Sequence, residues 1–457
     1  MSKTMTAQEK LIYMTETPLP KLVTRLSVPT VISMLITAFY NMADTYFVGL
    51  IGSASASGAV GVIFPLMALM QAVGFMFGHG SGNYMSRVLG AGDVDEAHRM
   101  AATGFFTSFM AGVVIMIVGL LAARPLVFLL GSTETIAPYA SDYIRYLMPG
   151  APFLISSLVL NNQLRFQGSA FYGMIGITSG ALLNVALDPL FIFGLDMGVA
   201  GAALATSLSQ MVSAVILFMG TLRGGNIRIK MTAFTPSRSM FGHVLRGGVP
   251  SLARQGLNSL ATVCLNFAAG GYGDAAIAAM SIVTRIMMMT VSAIIGFGQG
   301  FQPICGFNYG ARRYDRVRKC FWFCVKVGFA VLVVLAVLAI ILAPQIVQLF
   351  LKDNPEVTRI GAFTLRLQCI CVPLFAFTCL SNMMLQTLGI AGKATLLAAS
   401  RQGLFFIPTV LGLEMLLGLT GVQMAQAIAD VLSFLLAVPL AFSVLKMLKQ
   451  KEQEQTC

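Results

Sequence analysis

Apolar runs of about 20 residues follow one another along almost the whole chain, from residue 22 to residue 446. A run of this length can cross the ~30 Å hydrocarbon core of a bilayer as an α-helix. Charged residues make up 11% of the sequence, against about 25% in a soluble domain. We therefore predict an all-α integral membrane protein with about twelve transmembrane helices. The runs lie at about 22–50, 56–84, 97–123, 136–162, 171–195, 198–222, 242–271, 275–305, 319–350, 358–388, 394–417 and 419–446.

The positions of lysine and arginine predict the orientation in the membrane. These residues are concentrated in the loops 223–246 and 312–319 and near both chain ends, whereas the intervening loops near 49–57 and 272–274 contain none. Because positively charged loops remain in the cytoplasm, both termini are predicted to be cytoplasmic, with the protein spanning the inner (cytoplasmic) membrane several times. The basic residues form short loops instead of one basic face, so a nucleic-acid partner is not indicated.

The two halves of the sequence are related by an internal repeat of about 220 residues. Val28-Pro29 aligns with Val249-Pro250, and the alignment continues through Gly90 and Gly310 to Asn161 and Asn382. Six helices per repeat give both halves the same orientation, an arrangement common among secondary transporters. We predict an N-lobe at 1–222, a cytoplasmic linker at 223–241 and a C-lobe at 242–457. A substrate pathway is expected between the lobes.

Two carboxylates lie inside the predicted spans, where a charge costs ~2.5–3.5 kcal/mol and therefore usually has a function. Asp44 and Asp188 lie at similar depth, each ~25 Å from the basic side at ~1.5 Å per residue. Asn184 precedes Asp188 by one helical turn, and Thr206 comes close from the next helix. These four residues are predicted to bind Na⁺ or to share a proton. A purely structural network is the alternative, although the repeat has Leu265 and Ile407 opposite the two acids.

Candidate substrate contacts are less sharply defined. The 28 methionines could wall an adaptable cavity, although lipid-facing filler is the alternative for most of them. We select Asn41, Arg285, Met287 and Met384 as tentative substrate-binding residues. No catalytic constellation and no continuous polar pore is evident, so neither an enzyme nor a channel is indicated, and H⁺ or Na⁺ is expected in place of a cofactor.

The sequence resembles the multidrug and toxin extrusion (MATE) family over nearly its whole length. The stretches that carry the resemblance are residues 44–49 (DTYFVG), 89–92 (LGAG), 183–194 (LNVALDPLFIFG), 198–203 (GVAGAA) and 302–311 (QPICGFNYGA). The resemblance implies two six-helix lobes around a V-shaped central cavity, and export of cationic, often aromatic, compounds by antiport with H⁺ or Na⁺. We expect a monomer.

The resemblance is strongest to the branch of the DNA-damage-inducible F and MepA-like proteins. It implies a coupling site in the N-lobe, which falls here on Asp44, Asn184, Asp188 and Thr206. The NorM-like branch relies on acids in the seventh and tenth spans, which this chain lacks. The alternative function on the same fold is a flippase for a lipid-linked saccharide, which would favour a cationic cavity.

Overall fold

The computed structural model describes residues 5–351 and 354–456. The regular secondary structure of these residues is helical, as predicted. The first half contains α1 (Ala7–Glu16), α2 (Leu19–Gly49), α3 (Ala54–Gly90), α4 (Val94–Leu121), α5 (Ala123–Leu129), α6 (Ala137–Leu147), α7 (Ala151–Phe166), α8 (Ala170–Pro189) and α9 (Gly198–Thr221). The second half contains α10 (Arg238–Gly270), α11 (Asp274–Gly310), α12 (Tyr314–Ile341), α13 (Ala343–Phe350), α14 (Pro355–Thr387), α15 (Ala391–Ala399), α16 (Ile407–Leu417) and α17 (Leu419–Thr456).

Several membrane helices are interrupted in ways that the apolar pattern does not show. The predicted run 319–350 was wrong as a single helix, because α12 ends at Ile341 and Pro344 lies in the first turn of α13. Proline has no backbone N–H to donate and is tolerated in a first turn, so it starts a new helix. In each half the helix that begins with α8 or α15 contains a π-helical segment, Leu190–Gly194 or Ser400–Phe406.

Eleven helical segments of the described residues are long and apolar enough to span a membrane. The remaining long helix, α10, has 33 residues and includes Arg246 and Arg254. Its lower apolarity fits its position, because Gly247, Gly248 and Ser251 are buried where α10 packs along α3. Helix α10 is therefore the twelfth membrane-spanning helix, and it lies at the interface between the lobes. The predicted lobe boundaries stay a prediction, and α10 begins a few residues inside the predicted linker.

The two lobes meet closely at the end of the helices that carries the basic loops, which we call the basic end. A Cβ atom on Gly90 would lie 2.2 Å from the carbonyl oxygen of Phe307, and one on Gly310 would lie 1.9 Å from that of Arg87. Gly90 and Gly310 are equivalent positions of the repeat, and so are Arg87 and Phe307. The two contacts, and with them the two lobes, are therefore related by a pseudo-twofold axis. Glycine is needed here because backbone approaches backbone.

The lobes separate toward the opposite end. Among the described residues, the side-chain hydrogen bonds between the lobes lie no farther from the basic end than the pair Gln255 and Gln71, near the middle of α10 and α3. Contacts at the basic end and open space at the other produce the predicted V-shaped arrangement. The short helix α1 lies beneath this junction: Lys10 Nζ donates to Ser169 Oγ of the first half at 3.1 Å, while Asn308 of α11 donates to the carbonyl oxygen of Met14 at 3.1 Å.

Candidate functional site

The N-lobe encloses a cavity whose empty space, including the part open to solvent, is about 970 Å³. Its walls come from α2, α3, α7, α8 and α9, with one side chain from α11 of the other lobe. The lining is Thr30, Ser33, Met34, Thr37, Tyr40, Gln71, Phe75, Leu154, Leu158, Asn161, Arg165, Ala170, Met174, Ile177, Gly180, Ala181, Asn184, Thr206, Gln210, Ser213 and Gln299.

One end of the cavity is lined by Asn184 and Thr206, two of the four residues predicted to bind the coupling ion, and Asp188 lies directly behind them. Asn184 and Asp188 lie one turn apart on α8, and Asn184 Nδ2 donates to Asp188 Oδ1 at 3.4 Å. The same amide donates to Thr206 Oγ1 of α9, also at 3.4 Å. All three side chains are buried. The i, i+4 spacing therefore places the carboxylate and the amide on one face, as the sequence predicted.

Asp44 completes the group from α2, which packs along α8. Its charge lies close enough to Asp188 for the two carboxylates to interact electrostatically, and both act on the hydroxyl of Tyr40, a cavity residue. The structure therefore brings together the four predicted residues. We call Asp44, Asn184, Asp188 and Thr206 the acidic cluster.

The acidic cluster has oxygen atoms with spare hydrogen-bonding capacity. Asp44 Oδ1, Asn184 Oδ1 and Asp188 Oδ2 are buried and accept no hydrogen bond from the described residues. A buried acceptor without a donor is costly, and a bound proton or a small cation would satisfy it. Carboxylate, amide and hydroxyl oxygens are also the ligand types that hard cations prefer. The donor set therefore fits H⁺ or Na⁺.

Comparison with known proteins identifies the family. The model of the MatE family matches twice, at residues 29–190 and 250–411. The chain belongs to the MatE family. The two matches also confirm the internal repeat, because they begin about 220 residues apart.

Relatives of this MatE protein match along nearly the full chain. The multidrug export protein MepA of Staphylococcus haemolyticus (strain JCSC1435) is 28% identical over 441 residues, covering 95% of this chain and 96% of the relative. MepA of Staphylococcus aureus (strain MSSA476) is 28% identical over 440 residues, with the same coverage. The predicted resemblance to the MATE family and to its MepA-like members is confirmed.

Solved structures share the fold. The outward-facing conformation of a multidrug resistance MATE transporter of the MOP superfamily superposes with a TM-score of 0.91 at 27% identity, covering 98% of this chain and 100% of that one. A MOP superfamily transporter from Pyrococcus furiosus, described as having a binding pocket of reverse polarity, gives 0.89 at 26% identity and the same coverage. The prediction of two six-helix lobes is thereby confirmed.

The four tentative substrate contacts do not line the N-lobe cavity of this MatE protein. Met384 is fully buried in the largest core cluster, and Met287 packs in a C-lobe cluster with Val283 and Leu365. Arg285 is exposed, and Asn41 is half-buried one turn before Asp44 on α2. Their role in binding stays a prediction.

Sequence reasoning missed the main polar residue of the cavity wall, Arg165. The fourth predicted span ended at residue 162, which placed Arg165 in a loop, whereas α7 continues to Phe166. Tyr40 and Gln210, which also line the cavity, were missed because single polar residues within apolar runs are common. The sequence did contain one signal for Arg165, because this residue lies within one helical turn of the predicted end of the fourth span.

Proposed function

We propose that this protein is a secondary active multidrug exporter that moves organic compounds out of the cell by antiport with H⁺ or Na⁺. The observation that carries the proposal is the acidic cluster at one end of the N-lobe cavity, with three buried oxygen atoms that accept no hydrogen bond from the described residues. The MepA relatives are named multidrug export proteins, which supports the substrate class. A single chain encloses the cavity, so a monomer suffices.

The arrangement supports a simple account of coupling. A proton or Na⁺ bound at the acidic cluster neutralises carboxylate charge, so it competes with a cationic group of a compound in the adjoining cavity. Linkage then requires each ligand to weaken binding of the other, typically by 5- to 150-fold. On the orientation that the basic loops predict, the lobes meet at the cytoplasmic side, and the present form would release its cargo outward.

The flippase alternative receives less support from the cavity. Binding of a lipid-linked pyrophosphate would favour several cations, whereas Arg165 is the charged residue among the described residues that line this cavity. The acidic cluster adds negative charge at one end. Aromatic and methionine side chains such as Phe75, Met34 and Met174 suit planar organic compounds better.

The proposal is tested by transport of rhodamine 123, a fluorescent organic cation, in proteoliposomes with a pH gradient and a Na⁺ gradient imposed separately. We expect Asp44→Asn and Asp188→Asn each to lower gradient-driven transport by roughly tenfold or more. The matched control is Asp142→Asn, which removes an acid of the same lobe that is exposed and paired with Arg145. The gradient that drives the wild type identifies the coupling ion.

Equal transport by the wild type and both cluster variants would contradict cation coupling at this site. Absence of transport by the wild type under either gradient would contradict multidrug export itself. Loss of transport in Asp142→Asn as well would show that the loss is not specific to the cluster, and would count against its proposed role.

A further inference from the structure

Arg165 is a buried cation in the wall of the N-lobe cavity. It lies in the last turn of α7, its side chain is 2% exposed, and it lines the cavity. Ala170 and Asn184, which line the same cavity on α8, are separated by about 21 Å at ~1.5 Å per residue. Since α8 starts just after Arg165, the arginine lies near the end of the cavity opposite the acidic cluster.

The positive charge of Arg165 is not compensated by a carboxylate. Arg165 Nη2 donates to Asn162 Oδ1 at 2.6 Å and the guanidinium lies 5.0 Å from the ring centroid of Phe166, but Nε has no hydrogen-bond partner within residues 5–351 and 354–456. None of the salt bridges among the described residues includes Arg165. Arg254 lies close enough to repel it. A buried charge in such surroundings requires a counter-ion.

The repeat shows that the scaffold itself does not require an arginine here. Asn161 aligns with Asn382, so the residue of the C-lobe equivalent to Arg165 is Gln386. Gln386 is also buried, but its amide is used structurally: Nε2 donates to the carbonyl oxygen of Gly247 and to Ser251 Oγ, each at 2.7 Å. Glutamine therefore fits at this position of the fold, and the positive charge of Arg165 is an addition of the N-lobe.

We propose that Arg165 forms an oxyanion subsite in the cavity, which binds a carboxylate or phosphate oxygen of the occupant. This rests on the proposed function, because the occupant is then the exported compound. The cavity thus has an arginine at one end and carboxylates behind the other, which suits amphoteric compounds carrying both an acid and an amine. Arginine binds such oxyanions through parallel N–H donors and gains strength from burial.

The test uses rhodamine 110, which has a free carboxylic acid, and rhodamine 123, its methyl ester. Binding of both dyes to the full-length protein in phosphatidylcholine nanodiscs is measured by fluorescence anisotropy. We expect the wild type to prefer the acid over the ester by roughly ten- to hundredfold, the range of a charge-assisted hydrogen bond. Arg165→Gln should remove the preference by weakening binding of the acid, and Arg165→Lys should retain part of it.

The control variant is Arg366→Gln, which removes an exposed arginine of α14 outside the cavity and should keep the wild-type preference. The circular dichroism spectrum and the size-exclusion profile of Arg165→Gln verify that this variant is folded. The same acid-to-ester ratio in the wild type and Arg165→Gln would overturn the proposal.

A second arm separates the two sources of an oxyanion. Adding phosphatidylglycerol to the nanodiscs leaves the acid preference intact if the carboxylate of the compound is the occupant. Loss of the preference in both the wild type and Arg366→Gln identifies an anionic lipid phosphate at Arg165, which still supports the oxyanion subsite. Dye binding is measured without any gradient and is therefore independent of transport. Failure of rhodamine 123 transport would overturn the proposed function and leave the measured acid preference unaffected.

Discussion

Asn184 is the residue that connects the acidic cluster. Its amide donates to both Asp188 and Thr206, and its own oxygen accepts nothing from the described residues. An amide at this position therefore orients the carboxylate and still offers an oxygen to an ion. A second carboxylate here would add repulsion, and an apolar residue would remove the donor.

Replacing the amide tests that role. Asn184→Leu keeps a similar volume but leaves Asp188 Oδ1 without this donor, which costs about 1–3 kcal/mol for a buried acceptor. We expect the H⁺ or Na⁺ concentration that gives the half-maximal rate of gradient-driven transport to change by roughly tenfold. The measurement is transport of rhodamine 123 against pH and Na⁺ in proteoliposomes.

The comparison variant is Thr178→Val on the same helix, where the buried hydroxyl of Thr178 makes no hydrogen bond to the part of the chain that the structure describes. It removes a polar group of α8 outside the cluster and should leave the ion dependence unchanged. If Asn184→Leu and Thr178→Val give the same ion dependence as the wild type, Asn184 does not shape the ion site.

At the scale of elements, α1 connects the two lobes at the basic end. Its N-terminus has a capping box, in which Thr6 Oγ1 accepts from Glu9 N and the Glu9 carboxylate accepts from Thr6 N. Lys10 Nζ donates to Ser169 and Asn226 of the first half, while Arg316 of the C-lobe donates to the carbonyl oxygen of Thr17. Separation of the lobes at this end would break one of these two sets of bonds.

The docking of α1 should depend on pH through Lys10. Burial lowers the pKa of Lys10 from its ordinary value of 10.5 to about 8. Between these pH values the undocked lysine binds more protons than the docked one, so docking strengthens as pH rises from about 8 to about 10.5. A spin label at Ile12, which is 50% exposed, should become less mobile over that range.

Lys10→Met is the control, because its side chain has a similar length and does not titrate. The label at Ile12 should then show the same mobility from pH 7.5 to pH 10. A pH response of equal size in Lys10→Met would assign the effect to another group.

At the scale of the whole molecule, the pseudo-twofold contacts close the basic end. Hydrogen bonds from Thr30 Oγ1 to the carbonyl oxygen of Gly296 at 2.6 Å and from Thr387 Oγ1 to Asn83 Oδ1 at 2.9 Å join the lobes there. At Gly90 and Gly310 backbone lies against backbone, which explains why small residues occur at these positions on both sides.

Adding a methyl group to these glycines should force the basic end apart. Gly90→Ala and Gly310→Ala place a Cβ about 2 Å from a carbonyl oxygen of the other lobe, and such overpacking costs about 1–3 kcal/mol. Spin labels at Arg99 and Lys319, whose side chains are 58% and 71% exposed, report the separation by double electron–electron resonance. We expect a longer distance population in both variants.

Gly256→Ala serves as the control, since its Cβ meets nothing within 4 Å. It should give the wild-type distance distribution. An unchanged distribution in Gly90→Ala and Gly310→Ala would show that the lobes are not held together by these contacts.

The sequence by itself determined the helical membrane fold, the repeat and the acidic cluster. Apolar length fixes the spans because the bilayer core has a fixed thickness, and the i, i+4 spacing of Asn184 and Asp188 fixes their common face. Intramembrane acids are few, so each could be singled out without a structure. The two family matches and the TM-scores of about 0.9 confirm the fold.

Only the tertiary structure decided which residues surround the cavity and where helices break. Arg165 became a cavity residue because α7 extends beyond its apolar run, and the end of α12 at Ile341 depends on local proline geometry. The exposed position of Arg285 and the core positions of Met287 and Met384 could not be inferred either. Apolar and weakly polar residues face lipid, core or cavity equally well, and packing between helices decides among these environments.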